Sequence, residues 1–451
     1  MSPMDWRLLL QPRRIGRAAA TAAADPAELR TEFFKDWDRI VFCSAFRRLQ
    51  DKTQVHPMAR TDYVRTRLTH SLEVASVGRS LGMQAGRAIG ALDAALKELA
   101  APQDVGAIVA AACLMHDIGN PPFGHAGEAA VREYFAGPGA HWLEGLTPPQ
   151  QADLLRFEGN AQGLRTAVRL QHPDQSGGLQ LTWPTLGAFS KYPCDALSGC
   201  QSGAGAAARK FGYMDSERLI FAELAEGLGL AARGPGAWQR HPLAFLVEAA
   251  DDICYGVIDI EDGVKSGHVD FDELLALHAP FIDGTHQQRA QTLRDRQHRA
   301  EYLRAVTIGV LVDRTAQAFR THHDALLEGR HPSPLLEAID GAAEFQRFKT
   351  LAAERLYDER SKLQWQVAGF EIIGWLLQAF CEAVEAAAAP AGVPAAGGER
   401  ARMLLRLIPA AERVAAAGTR YERLLRVTDF VAGMTDRYAV DTHRRLRGMG
   451  S

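Results

Sequence analysis

The stretch Leu114-Met115-His116-Asp117-Ile118-Gly119-Asn120-Pro121-Pro122-Phe123-Gly124-His125-Ala126-Gly127-Glu128 decides how the chain is read. The apolar run Ile108 to Met115 leads directly into His116 and Asp117, and Gly119, Pro121 and Pro122 then break the backbone. Adjacent side chains point about 100° apart on an α-helix. His116 and Asp117 can therefore serve one ion only from a helix end, with the remaining ligands on other helices. The glycine and the prolines supply that end, because proline lacks an N–H and disfavours helix before it. His125 and Glu128 follow three apart, stacked on one face of the next helical turn. A histidine beside a glutamate is the arrangement of a general acid/base with its orienting carboxylate. His-Asp pairs often arise by chance. This one matters because it interrupts an apolar segment, where unpaired charge is costly.

Upstream, Val64 to Ala88 has helical apolar spacing, and His70 shares a face with Val74, Val77 and Leu81. His70 thus points inward, although a lone inward histidine is more often a hydrogen-bonded core residue than a ligand. Arg67 lies on the same side one turn earlier, where an arginine suits a phosphate better than an apolar core. Downstream, Leu243 to Ile258 reads as a strong helix. Asp251 follows Val247 by four and precedes Cys254 and Tyr255 by three and four. That face is buried, and a carboxylate there needs a cation or several donors. Asp259 lies two turns on, near the same side, whereas Asp252 faces elsewhere. The helix face favours Asp251 over Asp252 as a ligand. His70, His116, Asp117 and Asp251 form a candidate ligand set held by three helices. Mixed nitrogen and oxygen donors suit Mn, Fe, Co, Ni or Zn, and Mg is also compatible.

At 451 residues the chain is long for one core. The expected division is an N-terminal extension (1–27), a core (28–275) and a helical C-terminal region (276–451) packing on the core and on neighbouring subunits. The alanine-rich, strand-poor composition predicts an all-α protein. A net charge of −3 gives no global basic field for DNA or a membrane, so any polyanion site must be local. The six cysteines are scattered without a C-x-x-C, against a thiolate zinc site or a disulfide framework. Met1 to Arg14 does not read as a signal peptide, and no apolar run reaches the roughly 20 residues of a bilayer span. These features predict a soluble cytoplasmic protein with no membrane partner. Arg47, Arg48 and Lys52 form either a solvated face or a phosphate-facing patch. The region from the central motif to about 240 reads as loop-rich, and it includes a Gly/Ala/Ser tract at 198–208. His172, His298, His322 and His323 are expected at the surface, and Tyr421 to Leu446 as one last helix with a basic end.

Taken together, these residues resemble the HD-domain deoxynucleoside triphosphate triphosphohydrolases, the dGTPase-like proteins of bacteria. The superfamily pattern H…HD…D is matched by His70, His116-Asp117 and Asp251. Longer strings specific to the dGTPase-like branch are Ser44 to Leu49, Lys52 to Val55, Arg67 to Ser71, His116 to Glu128, Phe157 to Gln162, Lys191 to Pro193, Glu248 to Tyr255 and Ala432 to Tyr438. The resemblance runs from about Arg30 to about Tyr438. It implies an HD-domain helical bundle with additional C-terminal helices, and cleavage of a dNTP at the α-phosphorus to deoxynucleoside plus inorganic triphosphate. It implies a divalent metal, Mg or Mn foremost with Fe, Co, Ni or Zn as alternatives, on His70, His116, Asp117 and Asp251. His125 would be the general acid/base, with Glu128 fixing its tautomer. Arg67, Asn120, Lys191, Tyr192 and Tyr255 would hold the triphosphate tail, and Gln54 and Asp259 the 3′-hydroxyl. The resemblance further implies a homo-oligomer, often a hexamer, and regulation by a second dNTP or single-stranded DNA. The chain is shorter than the best-known bacterial dGTPase, so base preference stays open between dGTP and dNTPs broadly. Two other readings are an HD phosphohydrolase of another nucleotide, and a nucleotide-sensing or single-stranded-nucleic-acid-binding protein with weak catalysis. The tail-binding residues argue against a monophosphate substrate. The intact ligand and acid/base set argues against a mere binder.

Overall fold

The computed structural model describes residues 3–17, 30–54, 65–199, 210–356, 360–388, 398–409 and 418–449. Val55 and nearly all of the Gly/Ala/Ser tract lie outside these residues. The fold is all-α. Beside the helices, the described residues contain one two-stranded hairpin, Ala232–Gly234 with Ala237–Trp238.

The helices of the site and of the cores around it are α1 (Glu32–Val41), α2 (Arg67–Gly90), α3 (Pro102–Met115), α4 (His125–Ala136), α5 (Gly159–Arg165), α6 (Trp183–Phe189), α7 (Ala244–Lys265), α8 (Arg296–Thr321), α9 (Ala342–Leu356), α10 (Arg360–Ala388), α11 (Gly398–Leu407), α12 (Arg420–Ala432) and α13 (Asp436–Leu446). Helix α2 starts at a reciprocal cap between Thr66 and Thr69, which satisfies two of its free N–H groups. Helix α3 opens with Pro102 at its first position and is buried on every side from Val105 to Met115. A helix apolar all round belongs at the centre of a bundle, and α3 packs there against α2, α1, α6 and α7. Gly78, Gly82 and Gly86 recur every fourth residue along α2 where it meets α3. A Cβ on Gly82 would lie 2.7 Å from the carbonyl oxygen of Val105, so only glycine permits this approach. The tight α2–α3 pair carries His70 and leads into His116.

Two apolar cores result, and they do not divide at residue 275. The first runs from Met4 to Leu356 and includes α2, α3, α7, α8 and α9. The second joins Phe123, α4 and the segment around Phe157 to α10–α13. Residues 3–17 are part of the first core instead of an appendage: Met4, Trp6, Leu9, Leu10 and Ile15 are all buried. Trp6 donates its indole N–H to His323 at 2.9 Å, so His323, expected at the surface, is half-buried. The loop-rich region also differs from expectation, because it holds Pro148–Leu155, α5, α6 and Arg218–Gly227. Those helices are seven to ten residues long, too short for a periodicity to register against their glycines and prolines.

The expected single helix from Tyr421 to Leu446 is broken at 433–435 into α12 and α13, where Thr435 caps α13. Lys362–Ala388 is long and apolar enough, by length and composition, to cross a membrane, contrary to the expectation that no such run exists. Its Glu371, Glu382 and Glu385 interrupt the apolar text, and it packs against α4, α11 and α12 as the spine of the second core.

Candidate active site

The sequence-predicted ligands converge where α2, α3 and α7 meet. Helix α3 ends at His116, whose Nδ1 donates to the carbonyl of Cys113 at 2.7 Å. A carbonyl can only accept, so Nδ1 is the donor and in the neutral ring Nε2 keeps its lone pair. His70, buried on α2, places Nε2 3.0 Å from Oδ1 of Asp251. His116 Nε2 lies 3.6 Å from the same oxygen. The ligand atoms of His70, His116 and Asp251 all fall within 4.8 Å of one another. Two imidazoles and a carboxylate so grouped could hold one metal ion. Burial works against the Asp251 charge, but the two imidazoles hold its carboxyl far below the ordinary range. Asp252 turns away and pairs with Lys349 of α9 at 2.8 Å.

Asp117 lies at the rim of this group. Its Oδ2 is 3.4 Å from His116 Nε2, yet it also accepts from Arg67 at 2.7 Å, and its Oδ1 accepts from Asn120. Burial would raise the Asp117 carboxyl, and Arg67 with the neighbouring imidazoles lowers it. Arg67 is therefore tied to a candidate ligand as well as lining the cavity.

Beyond His116 the chain turns sharply. A Cβ on Gly119 would sit 2.2 Å from the carbonyl of Gly159, so this turn presses directly on the start of α5. Phe123 (φ 62°) and Gly124 (φ 59°) are both left-handed and redirect the backbone into α4, whose first residue is His125. His125 Nδ1 lies 3.0 Å from Oε2 of Glu128, and Oε1 of Glu128 accepts from the N–H of Gly159 at 2.8 Å. Glu128 is buried while the His125 side chain is 82% exposed. Burial alone would push the Glu128 carboxyl up, but the bond from His125 and the charges around it hold it below the ordinary value. His125 is thus gripped at Nδ1, with Nε2 as its open nitrogen.

These groups line a cavity of about 300 Å³, at the lower end of small-molecule sites. Gln54, Arg67, Asn120, Lys191, Tyr192 and Tyr255 all line it. His70 lies behind the wall. Asp259 is buried and is not among the lining residues. Arg47 is exposed and Arg48 half-buried. Lys52 is buried and donates to the carbonyls of Asn120 (2.5 Å) and Ala432 (2.9 Å), so it serves neither a solvated face nor a phosphate patch.

Sequence reasoning missed Glu158, Asn160, Lys210, Glu248, Lys362 and Gln366 in the lining. Glu248 sits one turn before Asp251 on α7 and lies 3.2 Å from Lys191 and 2.9 Å from Arg240. Burial would raise its carboxyl, but the two cations hold it at about 2. Lys191, Lys210 and Arg240 surround the Tyr192 ring at 5.7, 5.7 and 5.8 Å, within cation–π range. The Glu248 spacing from Asp251 was readable as a shared helix face. Lys362 and Gln366 had no local signal, because α10 reads as an amphipathic helix 240 positions from the central motif. Among the described residues the lining carries four cationic side chains and five carboxylates. With neutral imidazoles it is one charge negative.

A family model described as HD domain matches residues 67–155, and one described as phosphohydrolase-associated domain matches residues 340–445. A deoxyguanosinetriphosphate triphosphohydrolase-like protein of Pseudomonas aeruginosa is 40% identical over 99% of this chain and 100% of its own length. One of Synechocystis is 38% identical over the same shares. A deoxyguanosinetriphosphate triphosphohydrolase of Klebsiella pneumoniae is 30% identical over 99% of both chains.

Proposed function

This chain belongs to the deoxyguanosinetriphosphate triphosphohydrolase-like family of HD-domain hydrolases, and from that premise we propose that it hydrolyses a dNTP at the α-phosphorus to deoxynucleoside and inorganic triphosphate. The observation that carries this reading is one cavity joining the His70, His116 and Asp251 cluster, the His125–Glu128 pair and the cations Arg67, Lys191, Lys210 and Lys362. A monophosphate would not call for four cations around one cavity. A lining that is one charge negative by itself takes up a polyanion only together with a cation, which supports a divalent metal in the substrate complex.

A divalent ion held by His70, His116 and Asp251, with Asp117 at its edge, would polarise a phosphate oxygen and lower the pKa of bound water. The chain's own residues do the rest. Arg67, Lys191 and Lys210 neutralise the tail, and Glu248 keeps Lys191 fixed in the wall. Tyr192 and Tyr255 offer hydroxyls. His125, held at Nδ1 by Glu128, delivers a proton from Nε2 to the 5′-oxygen as the bond between that oxygen and the α-phosphorus breaks. The water oxygen bonds to the phosphorus, and the proton it sheds passes to solvent, from which the ring is reprotonated. The carboxylate of Glu128 keeps the ring oriented for this step.

Product analysis tests the reading. The purified protein is incubated with each dNTP and its ribonucleotide counterpart, in Mg²⁺ and separately in Mn²⁺, and products are resolved by anion exchange. Deoxynucleoside with triphosphate is the expected result, and the ranking of bases gives specificity. Diphosphate, orthophosphate or no product from any nucleotide overturns it.

A further inference from the structure

We infer that Asp436 is a positioning residue for the His125–Glu128 pair, acting from the C-terminal helices through the Phe123–Gly124 turn. The inference rests on the proposed hydrolase reading for its kinetic part, but its structural part stands apart from it.

Asp436 opens α13 and is buried. A carboxylate in the first turn of a helix ordinarily stays near the helix's own free N–H groups, and here Thr435 already provides that cap. The Asp436 carboxylate instead reaches two distant main-chain segments. Its Oδ1 accepts from the N–H of Phe123 and its Oδ2 from the N–H of Thr53, each at 3.0 Å. Both recipients are strategically placed. Phe123 is a left-handed residue with a side chain, an uncommon conformation that needs support from its surroundings. It stands two residues before His125, so its backbone fixes where α4 begins and where the His125 ring sits. Thr53 precedes Gln54 in the cavity wall, and its bridge to Thr66 leads into Arg67.

Lys52 makes a second stitch between the same parts, from Asn120 to the end of α12. Further support comes from α10, where a Cβ on Gly369 would lie 3.0 Å from the Phe123 ring. Asp436 is not part of the His70, His116 and Asp251 cluster and does not line the cavity. Any effect it has on turnover must therefore pass through the turn and the wall.

The test is a double-mutant cycle with an independent structural readout. Asp436→Asn keeps the shape but replaces one acceptor oxygen with an NH₂ that cannot accept. We expect kcat to fall about 10- to 100-fold, the scale of a misplacement of about 1 Å. Mn²⁺ stoichiometry should stay at the wild-type value. In a His125→Ala background the same substitution should cost less than about twofold more, because the group it positions is already gone. Losses that multiply in the double variant, or an unchanged kcat in Asp436→Asn, overturn the inference. Should Asp436→Asn fail to fold, Asp436→Glu keeps both acceptors but shifts them, and the same non-additivity is required of it. Hydrogen exchange of the segment 119–125 must be faster in the variant than in the wild type, and equal rates also overturn the inference. If the wild-type protein turns over no nucleotide, the hydrolase reading fails by itself. Exchange then still decides whether Asp436 holds the turn.

Discussion

The main-chain N–H of Gly159 donates to Oε1 of Glu128 at 2.8 Å, so the start of α5 fixes the carboxylate that grips His125. This contact needs glycine. A Cβ at position 159 would sit 2.2 Å from Oδ1 of Asn120 and 2.8 Å from Oε1 of Glu128. In Gly159→Ala, the Asn120 and Glu128 side chains must therefore both move. We expect kcat to drop about 10- to 100-fold while bound metal stays at the wild-type ratio. Steady-state kinetics with elemental analysis of the same sample checks this, and a near-normal kcat would show that the Glu128 position is not critical.

Adjacent aspartates on α7 should behave oppositely. Asp251 faces His70 and His116, whereas Asp252 is paired with Lys349. Asp251→Asn should lose bound Mn²⁺ and turnover together, since a neutral amide is a poor ligand and two imidazoles remain. Asp252→Asn should keep its metal and lose at most about 1 kcal/mol of stability, the scale of a partly exposed ion pair. Metal retained at full stoichiometry in Asp251→Asn would remove that residue from the ligand set.

His125→Ala separates proton transfer from metal binding. Its ring touches Glu128 and none of the three clustered ligands. Metal content should be unchanged and kcat should fall roughly 10²- to 10⁴-fold. A loss of less than about threefold would exclude His125 as the acid for the leaving 5′-oxygen.

Asp153 gives a pH test away from the site. Burial pushes its carboxyl up to about 8, although it accepts from Tyr421 and from the N–H of Asp215. The folded state then holds a proton that the unfolded chain, at the ordinary 3.8, releases much earlier. The stabilisation linked to that proton is full below about pH 4 and is lost as pH rises toward about 8. Asp153→Asn mimics the protonated form and keeps an acceptor for both donors. Thermal melts should show the variant gaining on the wild type steadily from pH 5 to pH 8. A gap between the two that does not change with pH would place the Asp153 pKa near its ordinary value.

What could be read from the sequence follows helix geometry. The spacing of His70 and Asp251 to apolar neighbours turns both inward, and both meet in the cluster with His116. Asp259, two turns on, is buried but is not among the residues that line the cavity. Lys52 reads in sequence as one of a group of cations, yet three residues from Leu49 it is buried and binds two carbonyls. Lys362 and Gln366 were invisible, since their role comes from where α10 crosses the cavity and not from any pattern in α10. The short helices between 148 and 227 were hidden for a related reason: they are stabilised by packing into the two cores, with too few turns to show a period. Trp6, Leu9 and Leu10 looked like an appendage because their partners, among them His323, lie some three hundred residues away.

The stitch between Thr53 and Asp436 spans 383 positions, and this gives the enzyme an order of maturation. The helices that carry His70, His116 and Asp251 are all synthesised by residue 265. At about 5 to 20 residues per second, roughly 20 to 80 seconds separate Thr53 from Asp436 on the ribosome. The helices that carry His70, His116 and Asp251 thus leave the ribosome long before the turn ahead of His125 is locked. The bond that fixes the turn ahead of His125 therefore forms last, with the final helix.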